Sequence, residues 1–184
     1  VDVSTAALLV DFENYYVGER KKREPGQTAM EEFASAIQRD MRSLMAYAEE
    51  LSGDADLRIA RAYADFQEGI GRDGRRMRLR DELNEIGFDT RDVPGKFRLN
   101  SADNQLIVDA IELQFANPDL KTFVLVGSDG DLRPLVISLK SRGARVVVVG
   151  FGTAKFTYRA VADKFLYLAE LKDLEEIRRS LVIQ

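Results

Sequence analysis

The sequence predicts a single α/β domain of three layers, with helices on both faces of a central, mainly parallel sheet. Three observations predict it. Short apolar runs alternate with amphipathic helical patterns, the signature of βαβ units. The length, 184 residues, suits one compact domain with a sizeable core. Val146 to Val149 are four consecutive valines, which need apolar cover on both faces, as a central parallel strand has. No internal repeat, low-complexity tract or linker divides residues 1–184.

The elements follow in order. Ala6–Phe12 reads as a buried strand, and the polar stretch from Gly18 to Thr28, with Pro25-Gly26, as a loop. Met30 to Leu51 is a long amphipathic helix carrying Phe33, Ile37, Met41, Leu44, Ala48 and Leu51 on one stripe. Leu57–Tyr63 is a second strand, and Gly69 to Gly74 a glycine-rich connection. Arg75 to Ile86 is a helix closed by Gly87 at the position after its C-cap. Phe88–Val93 is a short strand before a turn at Pro94-Gly95, and Ala102–Ala116 a helix stopped by Asn117-Pro118. Thr122–Gly127 is the fourth strand. Leu132–Arg142 is a helix in whose first turn Pro134 is tolerated, because the N–H groups there lack helical partners. Ala144–Val149 is the most apolar strand. From Tyr158 the chain offers a short helix, an edge strand around Phe165–Leu168 and a last amphipathic helix, Glu175 to Ile183. The right-handed crossover rule and the acids ending both strands predict that Ala6–Phe12 lies beside Thr122–Gly127.

Composition narrows the chemistry. There is no Cys and no His, which removes thiolate nucleophiles, cysteine zinc sites, and every Ser–His or Cys–His pair. Catalysis must then rest on carboxylates, Lys, Tyr, hydroxyls or a metal held by oxygen ligands. Hard cations such as Mg²⁺ or Mn²⁺ suit those ligands. No apolar run is long enough to span a bilayer, and Ala6–Val10 is too short for a signal core, so a cytoplasmic protein is expected. A start at Val1 and an end inside an amphipathic run also fit a domain excised from a longer chain. The net charge of −4 argues against binding nucleic acid by overall charge but allows a local basic groove. Arg20-Lys21-Lys22-Arg23 is one basic cluster. Arg72, Arg75, Arg76, Arg78 and Arg80 form another; such basic runs, taken singly, are usually solvated faces.

In an open parallel sheet, ligands bind beyond the carboxyl ends of the strands, where strand order reverses. Asp11 ends the first strand. Ser128, Asp129 and Asp131 follow the fourth. Asp103 lies in the first turn of a helix that starts at the same rim, and precedes Leu106, Ile107 and Ala110 by helical spacing, so it shares their inward face. Taken singly, Asp129 and Asp131 also suit caps of the next helix, and Asp103 a first-turn acid. Together, converging carboxylates repel, and a divalent cation would remove the repulsion. Asp109, six residues on, lies roughly 9 Å further from the rim. It reads as a buried or half-buried partner for a basic group.

Leu8-Leu9-Val10-Asp11-Phe12-Glu13-Asn14 resembles the first motif of the NYN domain family. Asn100 to Ala110, with Asp103 and Asp109 six apart, resembles its second. Val126-Gly127-Ser128-Asp129-Gly130-Asp131-Leu132-Arg133-Pro134-Leu135 is similar to its third, and Gly143 to Gly150 continues in the family manner. The resemblance covers most of the chain. It implies a PIN-like fold and a metal-dependent ribonuclease that uses Mg²⁺ or Mn²⁺. Asp11, Asp103 and Asp129 would form the metal-binding core and Asp131 would complete or back it. Asn14 and Ser128 would orient ligands or phosphate. A Lys often precedes the Asn of the second motif; Leu99 stands there instead, with Lys96 and Arg98 close by in sequence to replace it. Those two, Arg133, Arg75 and Arg76 are the candidate contacts to RNA. Tyr15 and Tyr16 suit either base stacking or packing. The competing function is a catalytically idle module that binds RNA or a protein. Oligomeric state has no signature in the sequence.

Overall fold

In a computed structural model the sheet has six strands: β1 (Thr5–Asp11), β2 (Asp56–Ala64), β3 (Asp89–Asp92), β4 (Leu120–Val126), β5 (Arg145–Gly150) and β6 (Lys164–Tyr167). The helices are α1 (Phe12–Lys21), α2 (Gln27–Ser52), α3 (Arg76–Ile86), α4 (Ser101–Ala116), α5 (Arg133–Ser141) and α6 (Phe156–Arg159), with a 3₁₀ turn at Gly130–Leu132. The structure describes residues 4–21, 27–66, 76–94, 101–128, 130–151 and 156–171. The glycine-rich connection expected at Gly69–Gly74 and the last amphipathic helix lie outside them. No helix among the described residues is long and apolar enough to cross a membrane.

All strand pairs are parallel, in the order β3-β2-β1-β4-β5-β6. The order reverses between β1 and β4, which lie side by side with Val10 opposite Val126, as expected. The two faces of the sheet are read directly from the two-residue period of a strand. On one face Leu8, Val10 and Phe12 pack with α2 and α3 through Phe33, Ile37, Met41, Leu44, Leu79 and Leu83. On the other, Ala7 and Leu9 pack with α4 and α5 through Leu106, Ala110, Leu135, Val136 and Leu139. Both faces of β5 are covered, which is why a run of valines fits it.

One expectation is corrected. The stretch from Gly18 to Thr28 is not simply a loop: Gly18 to Lys21 continue α1, and Gln27 and Thr28 open α2. The reason is local. Asp11 ends β1 and caps α1 at once, and Glu19, Arg20 and Lys21 are good helix formers that carry the helix past Gly18. Gly87 closes α3 as expected, at φ +114°, with its N–H and that of Phe88 bonded back to Leu83 O at 3.2 and 3.0 Å.

Candidate metal centre

Asp11 continues the alternation of Ala7 and Leu9, so its side chain leaves β1 on the α4 face of the sheet. It is 1% exposed. Its Oδ1 accepts the backbone N–H of Asn14 at 3.1 Å, the N-cap bond of α1. Its Oδ2 is buried and has no hydrogen-bond partner among the described residues. Asp103, in the first turn of α4, is 5% exposed and stands against Asp11. Burial pushes the Asp11 carboxyl well above the usual carboxylate range. The hydrogen-bonding and charge of Asp103 push it further, and Glu13 adds to this, while the Asn14 N–H acts in the opposite sense.

Two acids not anticipated as site residues join this rim. Glu13, in the first turn of α1, is raised by burial and by the charges of Asp65 and Asp103, and lowered by the Asp65 N–H, which it accepts. Its Oε2 also lacks a partner among the described residues. Asp65 follows β2 and is 3% exposed. The sequence holds a signal for it. It follows directly after Tyr63 and Ala64, at the carboxyl end of the strand beside β1, where an acid meets the same rim as Asp11.

The remaining candidates are placed less centrally. Asp131 is exposed on the 3₁₀ turn. It does not cap α5, whose N-cap position is Leu132, without a side-chain cap bond. The Ser128 hydroxyl, expected to orient phosphate, accepts the Phe151 N–H at 2.6 Å and also bonds the Phe151 carbonyl, tying the ends of β4 and β5 together. Its hydrogen is thus used within the fold. Asn14 supports Asp11 with its backbone N–H, not with its side-chain amide. Arg133 is exposed, and its Nε donates to Thr157 O at 3.3 Å. Asp129, Arg75, Lys96 and Arg98 lie outside the described residues, as does the side chain of Arg76.

Tyr15 and Tyr16 are 0% and 3% exposed and pack on Phe12, Phe33 and Phe151, which removes them as base-stacking surfaces. Asp109 is the buried partner of a basic group that its spacing predicts. Its Oδ2 accepts Arg61 Nη1 at 3.1 Å and the Tyr63 hydroxyl at 2.9 Å, and its Oδ1 accepts Gln105 Nε2 at 2.7 Å.

The donors that Asp11 and Asp103 bring to the rim are oxygen alone, buried, and set against each other with the Asp11 Oδ2 left over. That fits a hard divalent cation. Asp11 and Asp103 are the described residues that would hold it, although no three described carboxylates are already gathered as a cage.

The NYN domain family model matches residues 5–171, nearly the whole chain. The fold is similar to the crystal structure of a protein of unknown function from Vibrio parahaemolyticus, with a TM-score of 0.66 and 23% identity over 90% of this chain and 93% of that one. No curated protein matches. With all six parallel strands inside the matched span, from β1 to the end of the described residues, the chain belongs to the NYN domain family.

Proposed function

We propose that this NYN domain is a ribonuclease that depends on Mg²⁺ or Mn²⁺. Asp11 and Asp103 would hold the cation, joined by Asp129 and Asp131 from the loop after β4. The observation that carries this reading is the buried Oδ2 of Asp11, without a partner among the described residues and set against Asp103. Burial and the neighbouring carboxyl disfavour the charged form of Asp11, and a bound cation would offset that cost. When bound, the cation supplies Lewis acidity toward the phosphate and makes water a better nucleophile near neutral pH.

The chain's own residues do the rest. The Asn14 N–H fixes Oδ1 of Asp11 and leaves Oδ2 facing the rim. Ser128 holds the start of the 128–131 loop against Phe151. Arg75, Arg76, Lys96, Arg98 and Arg133 are the proposed partners of RNA phosphates. Neutralising several of them lowers affinity and flattens its salt dependence, by about 0.7 in logarithmic slope for each single-strand phosphate that no longer meets a cation.

The test is cleavage of a 5′-labelled single-stranded RNA by purified protein in Mn²⁺, Mg²⁺ or EDTA. Cleavage with either cation, none in EDTA and at most a trace with Asp11→Asn is the expected result. RNA retained but uncut under all three conditions points to a non-catalytic RNA-binding module.

A further inference from the structure

The two rim acids set against each other come from elements far apart in the chain: Asp11 ends β1 and Asp103 lies in the first turn of α4. Something must fix the rotation and height of α4 against the sheet. Apolar packing by Leu106 and Ala110 is nondirectional. The polar contacts of Asp109 are not.

Tyr63 stands opposite Asp11 in the β1–β2 register. It is fully buried on the same face, and its hydroxyl donates to Asp109 Oδ2 on α4 at 2.9 Å. Arg61, two residues earlier on that face, donates to the same oxygen at 3.1 Å. It also reaches Asp89 on β3 at 3.5 Å. Gln105 holds the other Asp109 oxygen from within α4. These are hydrogen bonds to a carboxylate, with strict distance and direction. Burial, and then the Asp109 charge, keep the Tyr63 hydroxyl protonated far above neutral pH, so it remains a donor.

We infer that Tyr63, with Arg61, is a positioning residue: through Asp109 it sets the height and rotation of α4, and thereby the placement of Asp103 against Asp11. One residue of β2 measures the gap, because it is level with Asp11 at one end and bonded to the helix of Asp103 at the other. The inference rests on the proposed metal reading for its consequence, but not for its geometry.

Tyr63→Phe removes one oxygen and keeps the ring in its packing. Two readouts on the full chain decide the matter. Isothermal titration with Mn²⁺ should show the dissociation constant raised severalfold but by less than about tenfold, the low end of the loss when a direct partner of a ligand is removed, because Tyr63 reaches Asp103 only through Asp109 and α4. In an Asp103→Asn background the same change should have no further effect, since Tyr63 acts through Asp103. Crystal structures of the metal-free wild type and Tyr63→Phe should show the Asp103 carboxyl displaced from Asp11 in the variant. Gln105→Ala, which loosens Asp109 from its α4 side, should displace it in the same sense but less. An unchanged Asp103 position in the Tyr63→Phe crystal overturns the inference, even if the variant melts earlier. A wild type that takes up no Mn²⁺ defeats the metal reading alone, and the crystal comparison then decides the positioning role by itself.

Discussion

Two buried aspartates on one face of α4 meet opposite surroundings. Asp109 is 8% exposed and is met by Arg61, Tyr63 and Gln105. Asp103 is 5% exposed and meets another carboxyl, with Glu13 in range of both. Burying an unpaired charge is costly, and folds ordinarily avoid it. This fold supplies a cation from its own sequence at Asp109 and none among the described residues at Asp103. The difference teaches where charge serves the structure and where it is left for something outside the chain.

The largest effects should separate the rim, tested at Asp11, from the lower turn of α4, tested at Asp109, by sign. Asp11→Asn leaves the N-cap of α1 intact, because Asn caps as well as Asp, but removes one of the repelling charges. Cleavage in Mn²⁺ should fall by about three orders of magnitude, the scale of several kcal/mol of forfeited Lewis-acid stabilisation. The melting temperature in EDTA should stay level or rise. Asp109→Ala should do the reverse to stability. It leaves the largely buried Arg61 guanidinium with only its longer contact to Asp89 and takes the acceptor from Tyr63, and should cost about 3 kcal/mol, measured by urea unfolding. If Asp11→Asn destabilises as much as Asp109→Ala, the contrast between the two sites is wrong.

That contrast is half legible in the amino-acid sequence. Asp109 reads as the partner of a base because helical spacing alone sets it well below the rim. The adjacency of β1 and β4 follows from their apolar runs and the acids that end them. Glu13 and Asp65 escape a sequence reading for a physical reason. The second strand reads as ending at Tyr63, which leaves Asp65 in a loop two residues on, whereas β2 runs on to Ala64 and Asp65 is buried directly at its end. Only Ala62 to Ala64 of β2 are fully buried, so its pattern is a weak signal. Helix α1 is hidden because nothing in its composition announces that a metal-ligand candidate is also its cap. The part of Ser128 in joining β4 to β5 depends on Phe151, 23 residues away, which no local pattern reveals.

Acidity should sharpen the comparison by a smaller amount. The folded-state pKa values of Asp11 and Glu13 are raised, so the folded chain binds more protons than the unfolded chain at pH values above about 4. Metal-free stability should therefore rise as pH falls from neutrality through those raised values. It should stop rising near the ordinary carboxylate range. Calorimetry in EDTA between about pH 7.5 and 5 checks this, and the rise should shrink in Asp11→Asn. A melting temperature that falls over that interval in the wild type contradicts the account of the rim.

The smallest effect serves as the control. Burial pushes Asp163 up, but Lys140, at 2.8 Å, the Val146 N–H, at 2.7 Å, and the Arg145 charge together outweigh it and hold Asp163 below its ordinary value. Its contribution is present above the usual Asp range and disappears as pH falls through its lowered folded value. Both partners are about a third exposed, so Asp163→Asn should cost under about 1 kcal/mol and leave Mn²⁺-dependent cleavage unchanged. Unfolding and cleavage assays on the same preparation measure both.

The central claim is that the unneutralised rim, and not the neutralised lower turn of α4, takes a divalent cation. Crystals soaked in Mn²⁺ and measured for anomalous scattering test it directly. The account predicts a peak between the carboxyls of Asp11 and Asp103, absent when the same soak is made with Asp11→Asn. A fully soaked crystal with no peak at that rim, or with the ion bound at another group of acids, would contradict it.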